Sequence, residues 1–327
     1  MFSGLLIEKD EQGYRCTRQQ LDDAILPEGN VEVAISYSTL NYKDALAISG
    51  SSPIARTFPL IPGIDFVGTV SRSDDSLFTP GQEVLLNGWG VGESHSGGLA
   101  QKARVKGDWL IAKPEAMSAR DTMAVGTAGY TAMLCLMALE QHGVKPDNGP
   151  VLVTGANGGV GGFAIYLLSQ LGFDVMASTG RLEEAEYLKS LGAGTIIHRD
   201  ELSSPGKPLS KVRWQAAIDA VGSHTLANVC AATAEEGIVA ACGLAQGMDF
   251  PASVAPFILR GVTLRGINCV TRPRSLREEA WKRLASMLDS KVLTSMTQVI
   301  TLDQAIETSK AMLAGKVRGR VVVDVNA

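Results

Sequence analysis

The stretch 151-VLVTGANGGVGGFAIYLLSQLG-172 decides how the middle of this chain folds. A short apolar run leads into five glycines (Gly155, Gly158, Gly159, Gly161 and Gly162), and an apolar helical segment, residues 160–171, follows at once. Glycines let a backbone approach a diphosphate closely, and the positive end of the following helix attracts the negative charge of the diphosphate. The pattern predicts a dinucleotide-binding turn, although a glycine-rich turn alone also suits a plain strand-to-helix connection.

Strand-like and helix-like segments continue to alternate after this turn. The strand-like segments are DVMAST (174–179), TIIH (195–198), AAIDAVG (216–222), IVAACG (238–243) and TLRGI (263–267), and a helix is expected over 182–191. Such alternation predicts a parallel sheet covered by helices on both faces, which is an α/β fold of the doubly wound Rossmann type. Residues 198–210, HRDELSSPGKPLS, are expected to form a mobile surface loop.

The two ends of the chain show a different pattern. The first third contains short β segments such as VEVAISYSTLN (31–41), separated by glycine and proline. A long apolar helix is expected from residue 119 and ends near Gly143, which places a domain boundary near residue 125. An amphipathic helix (275–290) and the strand RGRVVVDV (318–325) close the chain.

Composition excludes several classes of protein. The chain has 327 residues, 45% hydrophobic and 20% charged, with a formal charge of -4 and a pI near 5.7. It is therefore expected to be globular, and no positive field draws it to nucleic acid or to a membrane. The start of the chain lacks the basic and apolar regions of a secretory signal, and the five cysteines are odd in number and scattered. These features predict a cytoplasmic protein.

The end of the second strand bears on the choice of nicotinamide cofactor. NAD-selective sites usually place an acid there to accept the ribose 2′-hydroxyl, whereas this chain has Thr179, Gly180 and Arg181. A hydroxyl and a guanidinium suit a 2′-phosphate, so NADPH is predicted rather than NADH. Spacing alone also allows Arg181 to be only a solvated loop residue.

The chain resembles the medium-chain dehydrogenase/reductases and, within them, the acrylyl-CoA reductase (AcuI/YhdH) group of the quinone oxidoreductase-like proteins. The resemblance covers essentially the whole chain. It is carried by SxLNYKDALAIxG (38–50), FPLIPGIDFVGTV (58–70), GQEVLLNGWGVGE (81–93), ARVKGDWL (103–110), GTAGYTAMLC (126–135), TGANGGVG (154–161), EYLKSLGA (186–193), AACGLAQG (240–247) and PFILRGVTLRG (256–266).

This resemblance implies a GroES-like, β-rich catalytic domain (1–125), a Rossmann NADP-binding domain (126–270) and a return segment that completes the catalytic domain (271–327). It also implies a homodimer. Zinc-dependent members of the superfamily use Cys and His ligands, and the matching positions here are Asn41, Ile64 and Thr127. These side chains do not supply the usual tetrahedral N/S ligand set, so no metal is expected.

The resemblance implies NADPH-dependent reduction of the activated C=C of acrylyl-CoA to propionyl-CoA, and without a metal this reaction is expected to proceed by direct hydride transfer. By resemblance, Tyr42 and Asn41 are the catalytic candidates, with Tyr42 as hydrogen-bond donor to the thioester oxygen or as proton source. Tyr42 is also compatible with the role of a packed aromatic side chain. An NADPH-dependent quinone or enone reductase and a non-enzymatic NADPH-binding protein are the two alternatives.

The resemblance further implies a set of cofactor contacts. They are Tyr42, Asn157, Gly158, Gly159, Val160, Thr179, Gly180, Arg181, Arg199, Leu244, Ile258, Cys269 and Arg320. Trp89 and the polar run GESHSGG (92–98) are expected to form a loop over the substrate, or else a turn-rich surface hairpin.

Overall fold

The computed structural model describes all residues, 1–327. It contains fifteen strands and nine α-helices. The strands are β1 (Phe2–Asp10), β2 (Gly13–Leu21), β3 (Val31–Thr39), β4 (Asp65–Ser73), β5 (Glu83–Asn87), β6 (Lys102–Val105), β7 (Ile111–Ala112), β8 (Val151–Val153), β9 (Val175–Thr179), β10 (Thr195–His198), β11 (Trp214–Asp219), β12 (Thr233–Ala241), β13 (Thr263–Gly266), β14 (Thr297–Thr301) and β15 (Arg320–Asp324). The helices are α1 (Tyr42–Ser49), α2 (Ala119–Gln141), α3 (Gly159–Gln170), α4 (Ala185–Ser190), α5 (Ser223–Ala231), α6 (Ala255–Arg260), α7 (Arg274–Met287), α8 (Ser290–Met296) and α9 (Leu302–Leu313).

The chain forms two compact units. Unit 1 contains Met1–Thr127 and Cys269–Ala327, so it is built from both ends of the chain. Unit 2 contains the intervening residues, Ala128–Asn268. Helix α2 is interrupted at Gly126, whose backbone is not helical, just before the chain enters unit 2.

Unit 2 is organised around a six-stranded sheet in the order β10-β9-β8-β11-β12-β13, with every neighbouring pair parallel. The order reverses between β8 and β11, as in a Rossmann fold. The three residues of β8 are buried, because helices cover both faces of such a sheet. The α/β, doubly wound class predicted from the sequence is confirmed.

Unit 1 carries a seven-stranded sheet, ordered β14-β15-β3-β4-β5-β7, with β6 also paired to β3. Its pairs are antiparallel except for β14 with β15. Buried residues of β3, β4, β5 and β15 form one core, including Val33, Phe66, Leu86 and Val323. The C-terminal strand therefore lies beside a strand from the first forty residues, which agrees with the predicted β-rich unit.

Helix α2 is long and apolar enough to cross a membrane, but 94% of its most apolar window is buried inside the protein. A core helix of this kind is weak evidence for a membrane span.

Residues 198–210 are more ordered than a mobile loop. Asn228 Nδ2 donates to the carbonyl oxygens of Leu202 and Ser204, at 2.8 and 2.7 Å. Gln246 Nε2 donates to the Ser203 carbonyl at 2.8 Å. Side chains distant in sequence therefore hold this segment against the rest of unit 2. The loop-like composition of the segment does not indicate these contacts.

Candidate functional site

The glycine-rich turn of unit 2 joins β8 to α3 in a geometry that requires glycine. Gly155 has φ of +61°, in the left-handed region that favours glycine. A Cβ at Gly161 would lie only 2.4 Å from the Gly155 carbonyl oxygen. Helix α3 therefore packs directly against the turn, and its first residues face the carboxyl end of β8.

Asn157 lies in this turn with an unsatisfied side chain. The residue is only 6% exposed, and neither Oδ1 nor Nδ2 has a hydrogen-bond partner. A buried amide without partners is costly unless a ligand or water supplies them. Together with the N-terminus of α3, Asn157 marks the place in the turn where polar ligand atoms fit.

Asp219, at the carboxyl end of β11, forms hydrogen bonds with the neighbouring loops. Its carboxylate accepts hydrogen bonds from Thr154 Oγ1 at 2.7 Å and from the backbone N–H of Gly222 at 2.8 Å. It lies in the strand next to β8, at the point where strand order reverses. Burial raises the pKa of Asp219, while these hydrogen bonds oppose the shift. Sequence analysis missed this residue.

The neighbouring strands β9 and β10 bring the predicted phosphate-binding residues together. Thr179 Oγ1 accepts the backbone N–H of Arg181 at 3.0 Å. Arg199 lies against Gly180, where a Cβ would be 2.6 Å from the guanidinium Nε. The Arg199 side chain is 72% exposed. Two arginines thus stand at the carboxyl ends of adjacent strands, a position suited to an anion.

Leu244 and Ile258 are both exposed, at 55% and 73%. Leu244 follows β12, and its Cα would be 3.2 Å from a Cβ placed at Gly222, so it adjoins the loop after β11. Ile258 lies on α6, outside the glycine-rich turn. The remaining cofactor candidates Tyr42, Cys269 and Arg320 belong to unit 1.

In unit 1 the catalytic candidates Asn41 and Tyr42 stand where α1 begins. The Asn41 backbone N–H donates to Asp44 Oδ2 at 2.8 Å, and Asp44 Oδ1 accepts the Ile64 N–H at 2.9 Å. These bonds satisfy the start of the helix. Tyr42 is 44% exposed, and its hydroxyl has no hydrogen-bond partner in the chain, so it is open to a ligand.

A buried carboxylate, Asp65, holds this helix start in place. Its two oxygens accept five hydrogen bonds, from Thr39 Oγ1, Asn41 Nδ2, Asn87 Nδ2, and the Thr127 backbone N–H and hydroxyl. We call Thr39, Asn41, Asp44, Asp65, Asn87, Thr127 and Arg320 the Asp65 cluster. It joins β3, β4, β5, α1, α2 and β15 through side chains far apart in sequence.

Arg320 closes the Asp65 cluster from β15. It is 3% exposed and donates to the Ala124 carbonyl at 2.8 Å and to Asn41 Oδ1 at 3.1 Å. Gly126 makes room for it, because a Cβ there would lie 2.7 Å from Arg320 Nη2 and 2.9 Å from Asp65 Oδ2. Nη2 itself is buried without a hydrogen-bond partner.

Burial and the neighbouring charges shift the pKa values of Asp44 and Arg320 in this cluster. Burial raises the pKa of Asp44 to about 7, and the neighbouring Asp65 carboxylate adds to the shift. Burial lowers the pKa of Arg320, whereas the carboxylates of Asp65 and Asp44 oppose that shift. The cluster therefore holds a carboxyl group that titrates near neutral pH behind the exposed Tyr42.

Cys269 and Trp89 meet at Arg277, which also contacts Asn87 of the Asp65 cluster. This arginine is 3% exposed and donates to the carbonyl oxygens of Asn87, Cys269 and Val270, at 2.8, 3.1 and 2.6 Å. Its guanidinium lies 5.0 Å from the centre of the Trp89 ring. Cys269 therefore has its carbonyl held by Arg277, in the segment where the chain re-enters unit 1.

The positions that carry zinc ligands in zinc-dependent relatives have other partners here. Asn41 and Thr127 are hydrogen-bonded to Asp65, and Ile64 is 6% exposed. The structure contains no group of three or more His, Cys, Asp or Glu side chains arranged to hold a metal ion.

Sequence analysis missed most of the residues that shape the two sites. Asp65 and Asp219 share a signal that would have found them, since each is a charged residue inside an apolar strand segment, PGIDFVG and AAIDAVG. A charge in such a segment is usually paired or hydrogen-bonded. Asn87 and Thr127 carry no comparable signal.

Comparison with known proteins places the chain in a family. Residues 27–115 match a family model described as alcohol dehydrogenase GroES-like domain, and residues 159–288 match one described as zinc-binding dehydrogenase. The chain is 49% identical to the acrylyl-CoA reductase AcuI of Ruegeria pomeroyi, over 100% of both chains.

Two solved structures are similar over 99% of both chains. The yhdH oxidoreductase of Salmonella enterica, in complex with NADP, has a TM-score of 0.97 and 50% identity. Bacillus subtilis yhfP with NAD bound has a TM-score of 0.94 and 41% identity; the same protein is named a putative quinone oxidoreductase. The chain therefore belongs to the medium-chain dehydrogenase/reductase family, in the quinone oxidoreductase-like group that includes the acrylyl-CoA reductases.

Proposed function

We propose that the chain is an NADPH-dependent reductase that converts acrylyl-CoA to propionyl-CoA. The observation that carries the proposal is the exposed Tyr42 hydroxyl, held at the start of α1 by the buried Asp65 cluster, in a chain 49% identical throughout to an acrylyl-CoA reductase. A fixed donor beside an open surface suits a reaction in which negative charge develops on a carbonyl oxygen.

Unit 2 has the residues to hold NADPH. The unpartnered Asn157 amide and the N-terminus of α3 suit the diphosphate, and Arg181 with Arg199 suits the 2′-phosphate. The relative from Salmonella enterica was solved with NADP. When bound, NADPH supplies the hydride that the β-carbon of the acrylyl group accepts, while the α-carbon takes a proton.

Tyr42 donates its hydroxyl hydrogen bond to the thioester oxygen as charge develops there. Asn41 has a different role, because its side-chain nitrogen is bound to Asp65 and Asp44 and its oxygen accepts from Arg320. We assign Asn41 to positioning Tyr42 rather than to contact with the substrate. The fixed backbone at Asn41 sets the point from which the Tyr42 side chain extends.

The proposal includes reduction without a metal ion. Asn41, Ile64 and Thr127 stand at the ligand positions of zinc-dependent relatives, and two of them are already bound to Asp65. Polarisation of the carbonyl is therefore assigned to Tyr42. Elemental analysis should find no stoichiometric zinc, and activity should survive a strong chelator; one zinc per chain would contradict this.

A quinone reductase is the second candidate, since yhfP, 42% identical over 99% of the chain, is named a putative quinone oxidoreductase. Steady-state rates of NADPH oxidation with acrylyl-CoA, crotonyl-CoA and benzoquinone separate the two. We expect the highest kcat/KM with acrylyl-CoA. A preference for benzoquinone would establish the second candidate, and no turnover with any of these substrates would leave only a non-enzymatic NADPH-binding role.

We also propose a homodimer formed through unit 2. Six large apolar side chains are exposed within residues 244–259: Leu244, Met248, Phe250, Val254, Ile258 and Leu259. They precede β13, an edge strand of the parallel sheet. An apolar surface beside an unpaired strand edge suits a second copy. Sedimentation should show a dimer that Leu259→Glu dissociates; a monomeric wild type would contradict the proposal.

A cytoplasmic location, with no nucleic-acid or membrane partner, completes the proposal. All five cysteines are free, which suits a reducing compartment. The formal charge of -4 gives no general attraction to polyanions.

A further inference from the structure

Unit 1 exposes an aromatic ring, Phe58, with the cation Lys9 over it and a second exposed cation, Arg56, two residues earlier in the chain. We call these three residues the Phe58 surface. Phe58 is 37% exposed although it is a large apolar side chain. Tyr14 supports its ring edge-on, with centroids 5.8 Å apart, and Lys9 Nζ lies 5.9 Å from the ring centre. Exposed and supported rings of this kind are suitable platforms for stacking.

The cations of the Phe58 surface have no acidic partners. Glu8 and Asp10, on either side of Lys9 in β1, are both paired with Arg15, at 3.2 and 2.7 Å. The Arg56 guanidinium makes no hydrogen bond, ion pair or ring contact, whereas every other arginine of unit 1 has at least one such partner. The surface therefore presents uncompensated positive charge beside an aromatic ring.

The Phe58 surface is linked to the start of α1. The Arg56 backbone N–H donates to the Glu93 carbonyl oxygen at 2.8 Å. The Glu93 carboxylate in turn pairs with Lys43 at 3.0 Å, and Lys43 directly follows Tyr42. One backbone hydrogen bond and one ion pair thus connect Arg56 to the residue beside Tyr42.

We infer that the Phe58 surface binds the adenosine phosphate end of the CoA thioester, an inference that rests on the proposed function. This part of CoA combines an adenine ring with phosphates, and the Phe58 surface offers a ring and two free cations. Arg56 provides a guanidinium fork for phosphate, Lys9 adds a second positive charge, and Phe58 stacks on the adenine. The pantetheine arm then runs from this surface toward Tyr42.

A pair of substrates that differ only in this end of the molecule tests the inference. Kinetics are measured with acrylyl-CoA and with acrylyl-pantetheine, which has no phosphate and no adenine, at saturating NADPH. For Arg56→Ala we expect the KM for acrylyl-CoA to rise about tenfold, with kcat unchanged and with both constants for acrylyl-pantetheine unchanged. Arg56→Lys should retain part of the affinity. Arg72→Ala, at an exposed arginine of the same unit paired with Asp74, is the matched control.

Equal changes for the two substrates, or no change for either, would overturn the inference. A binding measurement separates its failure from failure of the proposed function. Calorimetry with adenosine 3′,5′-bisphosphate, on protein saturated with NADP⁺, should show binding that Arg56→Ala weakens about tenfold. If the wild type binds this nucleotide but reduces no acrylyl thioester, the proposed function fails and the subsite stands; if it does not bind, the subsite is wrong.

Discussion

The glycine-rich turn of unit 2 and the Asp65 cluster of unit 1 meet their hydrogen-bonding needs in opposite ways. In the turn, the buried Asn157 amide has no partner within the chain. In the cluster, the Asp65 carboxylate accepts five hydrogen bonds from its own chain. The turn therefore has a buried amide that only a ligand or water can satisfy. The cluster satisfies all of its hydrogen-bonding groups from within the chain except Arg320 Nη2, and it leaves the adjacent Tyr42 hydroxyl exposed.

This difference separates residues that bind from residues that position. A buried polar group without a partner raises the free energy of the unliganded protein. A ligand that supplies the partner removes this cost, so the group favours binding. A satisfied cluster instead fixes the backbone of the group beside it, which favours orientation. Substitutions in the cluster are therefore expected to affect stability and turnover, and substitutions around the turn mainly cofactor affinity.

The largest effect is expected when the charge at the centre of the Asp65 cluster is removed. Asp65→Asn removes one of the two carboxylates that act on the buried Arg320, and it places an amide N–H₂ where hydrogen-bond donors now point. We expect a loss of about 3 to 5 kcal/mol in the free energy of unfolding, measured by urea denaturation. Asp74→Asn, at an exposed side chain of the same unit, should change it little. A fully stable Asp65→Asn protein would show that the cluster does not hold the helix start.

The next effect concerns the exposed hydroxyl of Tyr42 in unit 1. Tyr42→Phe keeps the ring but removes the donor, so turnover of acrylyl-CoA should fall a hundredfold or more, or about 2.7 to 4 kcal/mol in the barrier. Stability and NADPH affinity, followed by thermal unfolding and cofactor fluorescence, should not change. Tyr37→Phe, on β3, is the control. Unchanged turnover in Tyr42→Phe would leave Tyr42 as a packed aromatic.

A smaller effect is expected in unit 2. Arg181→Ala should weaken NADPH about ten- to a hundredfold and leave NADH almost unchanged, because only NADPH carries the 2′-phosphate. Arg199→Ala should act in the same direction, since Arg199 lies on Gly180. Dissociation constants for both cofactors give the comparison, with Lys189→Ala on α4 as control. Equal losses for NADPH and NADH would make the arginines structural.

The last expected effect is a gradual dependence of stability on pH. Asp44 has a pKa of about 7 in the folded protein and an ordinary value of 3.8 when exposed. Between these values the folded state binds more protons than the unfolded state, so the free energy of unfolding should decrease as pH rises from about 4 to 7. The contribution is at most about 1.4 kcal/mol per pH unit.

Asp44→Asn cannot titrate and should lose this part of the slope in urea denaturation measured at several pH values. Asp219, whose pKa is also raised, remains in both proteins. The difference between the two slopes therefore isolates Asp44. Identical slopes would show that Asp44 stays ionised across this range.

The sequence alone was enough to predict the parallel sheet and its glycine-rich turn. Strand, turn and helix there are consecutive, so local pattern carries the information: residues 151–172 contain β8, the turn and α3 without interruption. Arg181 could also be predicted from the sequence as a cofactor contact, because Thr179, Gly180 and Arg181 directly follow one strand. The N-terminal hairpin of β1 and β2 was not predicted, because Phe2 to Ile7 are all buried, and apolar and polar residues do not alternate there.

Only the tertiary structure decided how Tyr42 is held. Thr39, Asn41, Asp65, Asn87, Thr127 and Arg320 are spread over 281 residues of sequence and meet only because β15 pairs with β3, and β4 with both β3 and β5. No local propensity brings an arginine near the C-terminus to an asparagine near residue 40. Long-range strand pairing brings the two residues together. The buried polar groups are stable there because they find hydrogen-bond partners on other strands.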